Sequence, residues 1–210
     1  MFIMIDYKKK EKAMRRFNIL TSLAAMIIVL LCWQSPASSQ TRRPRPSPKA
    51  SVMQRLGADT DITITYSRPG VKGRKIWGPG NLVPYGMNPG APPSKGKPFP
   101  WRAGANENTI IEFNKDLLIE GQKLAAGKYG IHMLPGEKEW IIIFSKNNSA
   151  WGSFSYNPEE DALRVTVKPV VAPMQEWLEY GFDDLTPNSA TAYLWWEKVK
   201  VPFMIKMAGE

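Results

Sequence analysis

Short stretches of this 210-residue chain alternate apolar and polar side chains with a period of two, and nothing else constrains the fold as strongly. Residues two apart share a face only in extended backbone. Over residues 61–66 the rule places Ile62, Ile64 and Tyr66 together. Over 109–114 it groups Ile111 and Phe113 against Glu112. Over 128–134 it groups Tyr129, Ile131 and Met133, with Gly130 and His132 opposite. Over 163–168 it groups Leu163, Val165 and Val167, and over 199–205 it groups Val199, Val201, Phe203 and Ile205. Residues 140–144 are apolar on both faces, as in a strand running through a packed sheet. Residues 134–139 read as a hairpin turn. Residues 190–196 predict a further strand that feeds the last one through Glu197 and Lys198. Trp195 and Trp196, being adjacent, must point to opposite faces of it. Helical patterns are too few for parallel βαβ units, and no phosphate-cradling glycine motif occurs. The expected fold is all-β, a single antiparallel β-sandwich or jelly-roll-like domain over residues 51–207.

One segment fits no element. Residues 79–100 hold seven prolines and four glycines, which excludes an interior strand or helix. A loop that long in a compact domain is functional or an insertion. It is flanked by Trp77 and Trp101, so it is expected either to rim a pocket or to cover a core edge.

The N-terminal region reads as an address. Six basic residues precede residue 17, and an apolar run follows to Trp33. Ala37 and Ser39 offer small residues for cleavage before Gln40. This describes a signal peptide over residues 1–39. The strongly apolar part is shorter than the roughly 20 residues of a spanning helix, so no stable membrane span is expected after cleavage; an uncleaved anchor is the alternative. Met1 and Met14 are both candidate starts. Cys32 follows Leu31 rather than a small residue, which argues against lipidation. Residues 40–50, basic and rich in proline, read as an extended linker. The expected location is periplasmic or extracellular.

The formal charge of +9 invites a nucleic-acid partner. The invitation fails on position. Residues 1–39 carry +4 and residues 40–58 carry +5, leaving 17 basic and 17 acidic residues from Asp59 onward. The excess belongs to leader and linker, so no nucleic acid is expected.

One cysteine and one histidine exclude a disulfide framework, a Cys-rich zinc site and a two-His metal motif, and no cofactor or metal is expected. Acidic runs at 159–161 and 183–184 lack the EF-hand pattern. His132 shares a face with Lys128 and Gly130. It could serve as an acid/base or ligand contact, with Gly130 leaving room for a substrate, or it could be a partly exposed strand residue. Glu107 and Glu112 are the candidate carboxylates for a hydrolase that uses His132. Arg102 could clamp an anion, or it could tie down loop backbone beside Asn106. Trp77 and Trp101 offer aromatic faces near these groups.

At these residues the chain resembles a known family. Thr65-Tyr-Ser-Arg-Pro69, Val71-Lys-Gly-Arg-Lys-Ile-Trp-Gly78 and Leu82-Val-Pro-Tyr-Gly86 come first. Trp101-Arg-Ala-Gly-Ala-Asn-Glu-Asn108, Ala126-Gly-Lys-Tyr-Gly-Ile-His-Met-Leu-Pro135, Trp140-Ile-Ile-Ile-Phe144 and Trp151-Gly152 follow. Asp161-Ala-Leu-Arg-Val165 and Trp196-Glu197 through Val201-Pro-Phe203 complete the order. The set is similar to the secreted bacterial family called domain of unknown function 2911, over residues 51–205. The resemblance implies an exported bacterial protein with one domain, and it carries no activity to transfer. Residues 87–100 lengthen a link that is typically short in that family.

The function expected is binding without chemistry: an exported all-β domain for a small molecule, glycan or envelope-protein partner. Arg102, Asn106, Glu107, His132, Trp77 and Trp101 are the expected ligand residues. The alternative is a secreted or periplasmic hydrolase using Glu107 or Glu112 with His132.

Overall fold

The structure is a computed structural model that describes Glu11, Met14, residues 44–90 and residues 92–209. The signal peptide expected over residues 1–39, with Cys32 and the cleavage position, therefore falls outside the described residues except at Glu11 and Met14, and linker residues 40–43 fall outside it too. The chain divides into two compact units, Met1–Arg43 and Pro44–Glu210, and every strand among the described residues belongs to the second. No helix among the described residues is long and apolar enough to cross a membrane.

Among the described residues ten strands build two open antiparallel sheets. They are β1 (Lys49–Leu56), β2 (Thr60–Ser67), β3 (Thr109–Phe113), β4 (Leu117–Ile119), β5 (Gln122–Leu124), β6 (Gly127–Leu134), β7 (Trp140–Ser145), β8 (Asp161–Val167), β9 (Val170–Asp183) and β10 (Ser189–Met207). The larger sheet runs β1-β2-β3-β6-β7-β8 and the smaller β5-β4-β10-β9. Their facing sides close one apolar core, and the fold is sandwich-like. The inward sets are those of the period-two reading: Ile62 and Ile64, Ile111 and Phe113, Ile131 and Met133, Val165 and Val167, Val201, Phe203 and Ile205 are all buried.

Four details differ from expectation. β1 begins at Lys49, so strand structure reaches two residues back into the stretch read as linker. Residues just before it also lie on the domain: Asn106 Nδ2 donates to the Ser47 carbonyl, and the Arg68 amide donates to that of Pro48. β9 contains Pro173, which hides it from a strand reading, but it is an edge strand, where proline removes no ladder bond. The two expected C-terminal strands are one, β10, with register shifts on either side of Glu197. Glu197 has φ 57°, and across it the inward parity flips from Ala192, Leu194 and Trp196 to Val201, Phe203 and Ile205.

Residues 79–90 and 92–100 form irregular backbone closed on itself. Asn88 and Phe99 exchange two backbone hydrogen bonds, and the Gly86 amide donates to the Pro135 carbonyl at the β6–β7 turn.

Candidate functional site

The chain leaves this loop in extended backbone. Trp101 exchanges hydrogen bonds of 2.9 and 2.8 Å with Met133, prolonging the larger sheet beside β6 where β3 has ended. Cross-strand partners share a face, so Trp101 turns inward with Met133, and Arg102 turns outward to the face of His132. That parity separates the residues expected to act together.

Trp101 belongs to the core, and Trp77, half-buried, packs against it. Trp77 packs edge-on against Trp101, Trp140 and Trp196 at 4.9 to 5.6 Å between ring centres, and Trp101 stacks on Trp196 at 6.0 Å. Four indoles that cover one another leave little face for a ligand.

The carboxylates go elsewhere. Both Glu107 oxygens accept from Arg45, at 2.8 and 2.7 Å, and that pairing holds the Glu107 carboxyl below its ordinary pKa. Glu112 is exposed and pairs with Lys128 at 3.5 Å. Neither carboxylate bonds to His132. Asn106 sits at φ 60° and meets Arg102 through its backbone carbonyl, which accepts from Arg102 Nη1 at 2.6 Å. Among the described residues no group of three or more His, Cys, Asp or Glu could hold a metal ion.

His132 is not a partly exposed strand residue; it is closed over. Residues 151–157 run across the outer face of β6 and alternate between two groups. Gly152 lies under the Arg102 guanidinium, with φ 70° and no room for a Cβ. Ser153 is fully buried, and its Oγ lies 2.7 Å from His132 Nδ1. Phe154 stacks on the other side of Arg102, 4.4 Å from guanidinium carbon to ring centre, and Tyr156 meets the His132 ring edge-on at 5.6 Å. Burial first, and the neighbouring Arg102 charge second, pull the His132 pKa from 6.5 to about 4. The imidazole is therefore neutral at physiological pH. The space beside Gly130 is taken as well: a Cβ there would meet the Asn147 carbonyl at 2.6 Å.

Above this closed layer opens a cleft of about 1170 Å³. One wall comes from the Pro/Gly loop, with Met87, Lys95 and Lys97, and the other from Trp151, Phe154 and Tyr156. Phe99 packs edge-on against Phe154 at 5.1 Å and couples the walls. At the far end Arg164 donates to Asp161 and to the Tyr156 hydroxyl, and Tyr156 donates to Asp161 at 2.7 Å. Burial and this carboxylate push the Tyr156 pKa up to about 12, so the phenol keeps its proton. The loop thus does rim a pocket. In its partner wall only Trp151 falls in a motif; Ser153, Phe154 and Tyr156 lie in an irregular stretch with none.

The molecule is a two-sheet antiparallel protein of sandwich-like build, with a loop-walled cleft on the outer face of its larger sheet. A protein-family model described as "Protein of unknown function (DUF2911)" matches residues 47–205. The chain belongs to that family. Neither the curated proteins nor the solved structures contain a match to it.

Proposed function

We propose that this protein is an exported binding domain whose ligand is a small molecule held in the cleft between the Pro/Gly loop and residues 151–158. One observation carries the reading: large apolar side chains stay exposed at the cleft while the layer beneath is tightly made. Trp151 is 59% exposed and Met87 39%, both lining a space large enough for a metabolite-sized molecule. Below them Ser153 and His132 pair, and Tyr156 and Arg164 both donate to Asp161 Oδ2, while Asp161 Oδ1 is buried without a partner. A rigid floor with an unsatisfied apolar mouth suits binding better than turnover. Export rests on the basic and apolar leader.

The test uses Trp151 as its own reporter. A panel of small organic molecules and oligosaccharides is screened by melting temperature, and each hit is titrated against tryptophan fluorescence. Binding in the cleft perturbs emission in the wild-type protein and not in Trp151→Ala. A hit that stabilises both proteins equally and perturbs neither sits elsewhere, and the reading falls.

A further inference from the structure

We infer that the cleft selects an anion, a carboxylate or phosphate carried on a planar apolar body, with Lys95 and Lys97 receiving the charge. The inference rests on the cleft reading above and deepens it.

The lining contains three cations, Lys95, Lys97 and Arg164, and no carboxylate. These cations are not equivalent. Arg164 is neutralised by Asp161 at 2.7 Å. Lys95 and Lys97 are exposed and enter no ion pair among the described residues. Two lysines without counter-ions beside an aromatic wall leave a positive field for a ligand to satisfy.

Their presentation is built into the backbone. The Lys97 amide donates to the Ser94 carbonyl at 3.1 Å, closing a tight turn whose central residues, Lys95 and Gly96, sit at φ 56° and 79°. Positive φ at both central positions is the signature of a type I′ turn, where Asn, Asp or Gly is preferred at the first. A lysine held there is unfavourable for the backbone, a kind of outlier that clusters at ligand-binding segments.

The aromatic wall points the same way. Phe154 has Arg102 against its far face, and Arg102 has no carboxylate partner among the described residues, donating to the Asn106 carbonyl. A ring attracts one cation through its electron-rich face. With Arg102 already there, a second cation on the near face would meet repulsion, whereas an anion's body can stack without that penalty.

The experiment compares four probes of one ring size: phenyl phosphate, phenylacetate, benzyl alcohol and phenyltrimethylammonium. Each is titrated at low salt against Trp151 fluorescence of the purified protein and of Lys95→Gln/Lys97→Gln, with circular dichroism as the folding control. The two anions are expected to bind at least about tenfold more tightly than the alcohol, to weaken with added salt and to lose about tenfold in the double variant. The ratio between phenyl phosphate and phenylacetate identifies the preferred anion. Equal binding of anion, alcohol and ammonium, unchanged in the double variant, overturns the anion class and leaves the cleft intact. Failure of every probe to perturb Trp151 at millimolar concentration overturns both.

Discussion

His132 Nδ1 and Ser153 Oγ stand 2.7 Å apart with both side chains closed off from water, so the only histidine is pinned by a loop rather than offered to a substrate. The pairing joins sheet to loop. It fixes residues 151–157, which carry the aromatic wall, onto β6. Removing the hydroxyl leaves a buried ring nitrogen without a partner. Ser153→Ala should therefore cost about 1–3 kcal/mol in chemical denaturation. An unchanged midpoint would mean that the loop is held by packing alone.

The same pair predicts an acid limb in the stability profile. The unfolded imidazole takes its proton near pH 6.5 and the folded one near 4. Between those values the unfolded chain binds the extra proton, so stability falls as pH drops through that window and levels off below it. The full effect is roughly 3 kcal/mol. Glu107, Asp61 and Asp116, whose pKa values are lowered by basic partners, act in a lower window: their contribution is lost only as pH falls through the acidic carboxylate range. His132→Gln should flatten the limb between pH 6.5 and 4 and keep the lower one. Denaturation at a series of pH values across both windows separates the two.

Gly152 is required for two independent reasons, a left-handed backbone and the guanidinium that occupies the place of its Cβ. Gly152→Ala should displace Arg102 and loosen Phe154, costing about 2 kcal/mol or more. The accompanying readout is faster proteolysis within residues 147–158.

Tryptophans should sort by position. Trp101→Ala and Trp196→Ala open the four-indole cluster and should each cost about 3–5 kcal/mol. Trp151→Ala, more than half exposed, should leave the melting temperature within error while abolishing the fluorescence response to a cleft ligand. Comparable losses at Trp151 would show that it packs rather than binds.

The Arg45–Glu107 contact joins the basic N-terminal stretch to the domain, with both side chains about two-fifths exposed. Arg45→Gln should change stability by less than about 1 kcal/mol, and the small difference should vanish in high salt.

How far the sequence could be read follows the physics of alternation. Period two located the inward sets of β2, β3, β6, β8 and the end of β10, because apolar residues alternate with polar or small ones along each of them. It failed at β1 and β9, which lie at sheet edges and tolerate Met53, Gln54 or Pro173 where an interior strand would not. It also failed at Glu197, where the ladder with β9 shifts register and the inward parity flips without any composition signal. The candidate site was legible in part. His132 and Arg102 share the outer face, as their spacing allows, but Trp101 goes inward because neighbours in an extended chain must diverge. Ser153 became visible only once residues 151–157 lay across β6, a contact between residues 21 apart that no local pattern encodes.

β4 leaves the larger sheet after β3 and lies between β5 and β10, where Leu117 and Ile119 stand opposite Met207 and Ile205. Residues 120–204 separate the two partners along the chain. A polypeptide emerging from its N-terminus therefore offers Leu117 and Ile119 their partners in β5 at once and those in β10 only when that strand arrives. β4 and β9 join one sheet only through β10, so the smaller sheet is completed only once β10 has been synthesised.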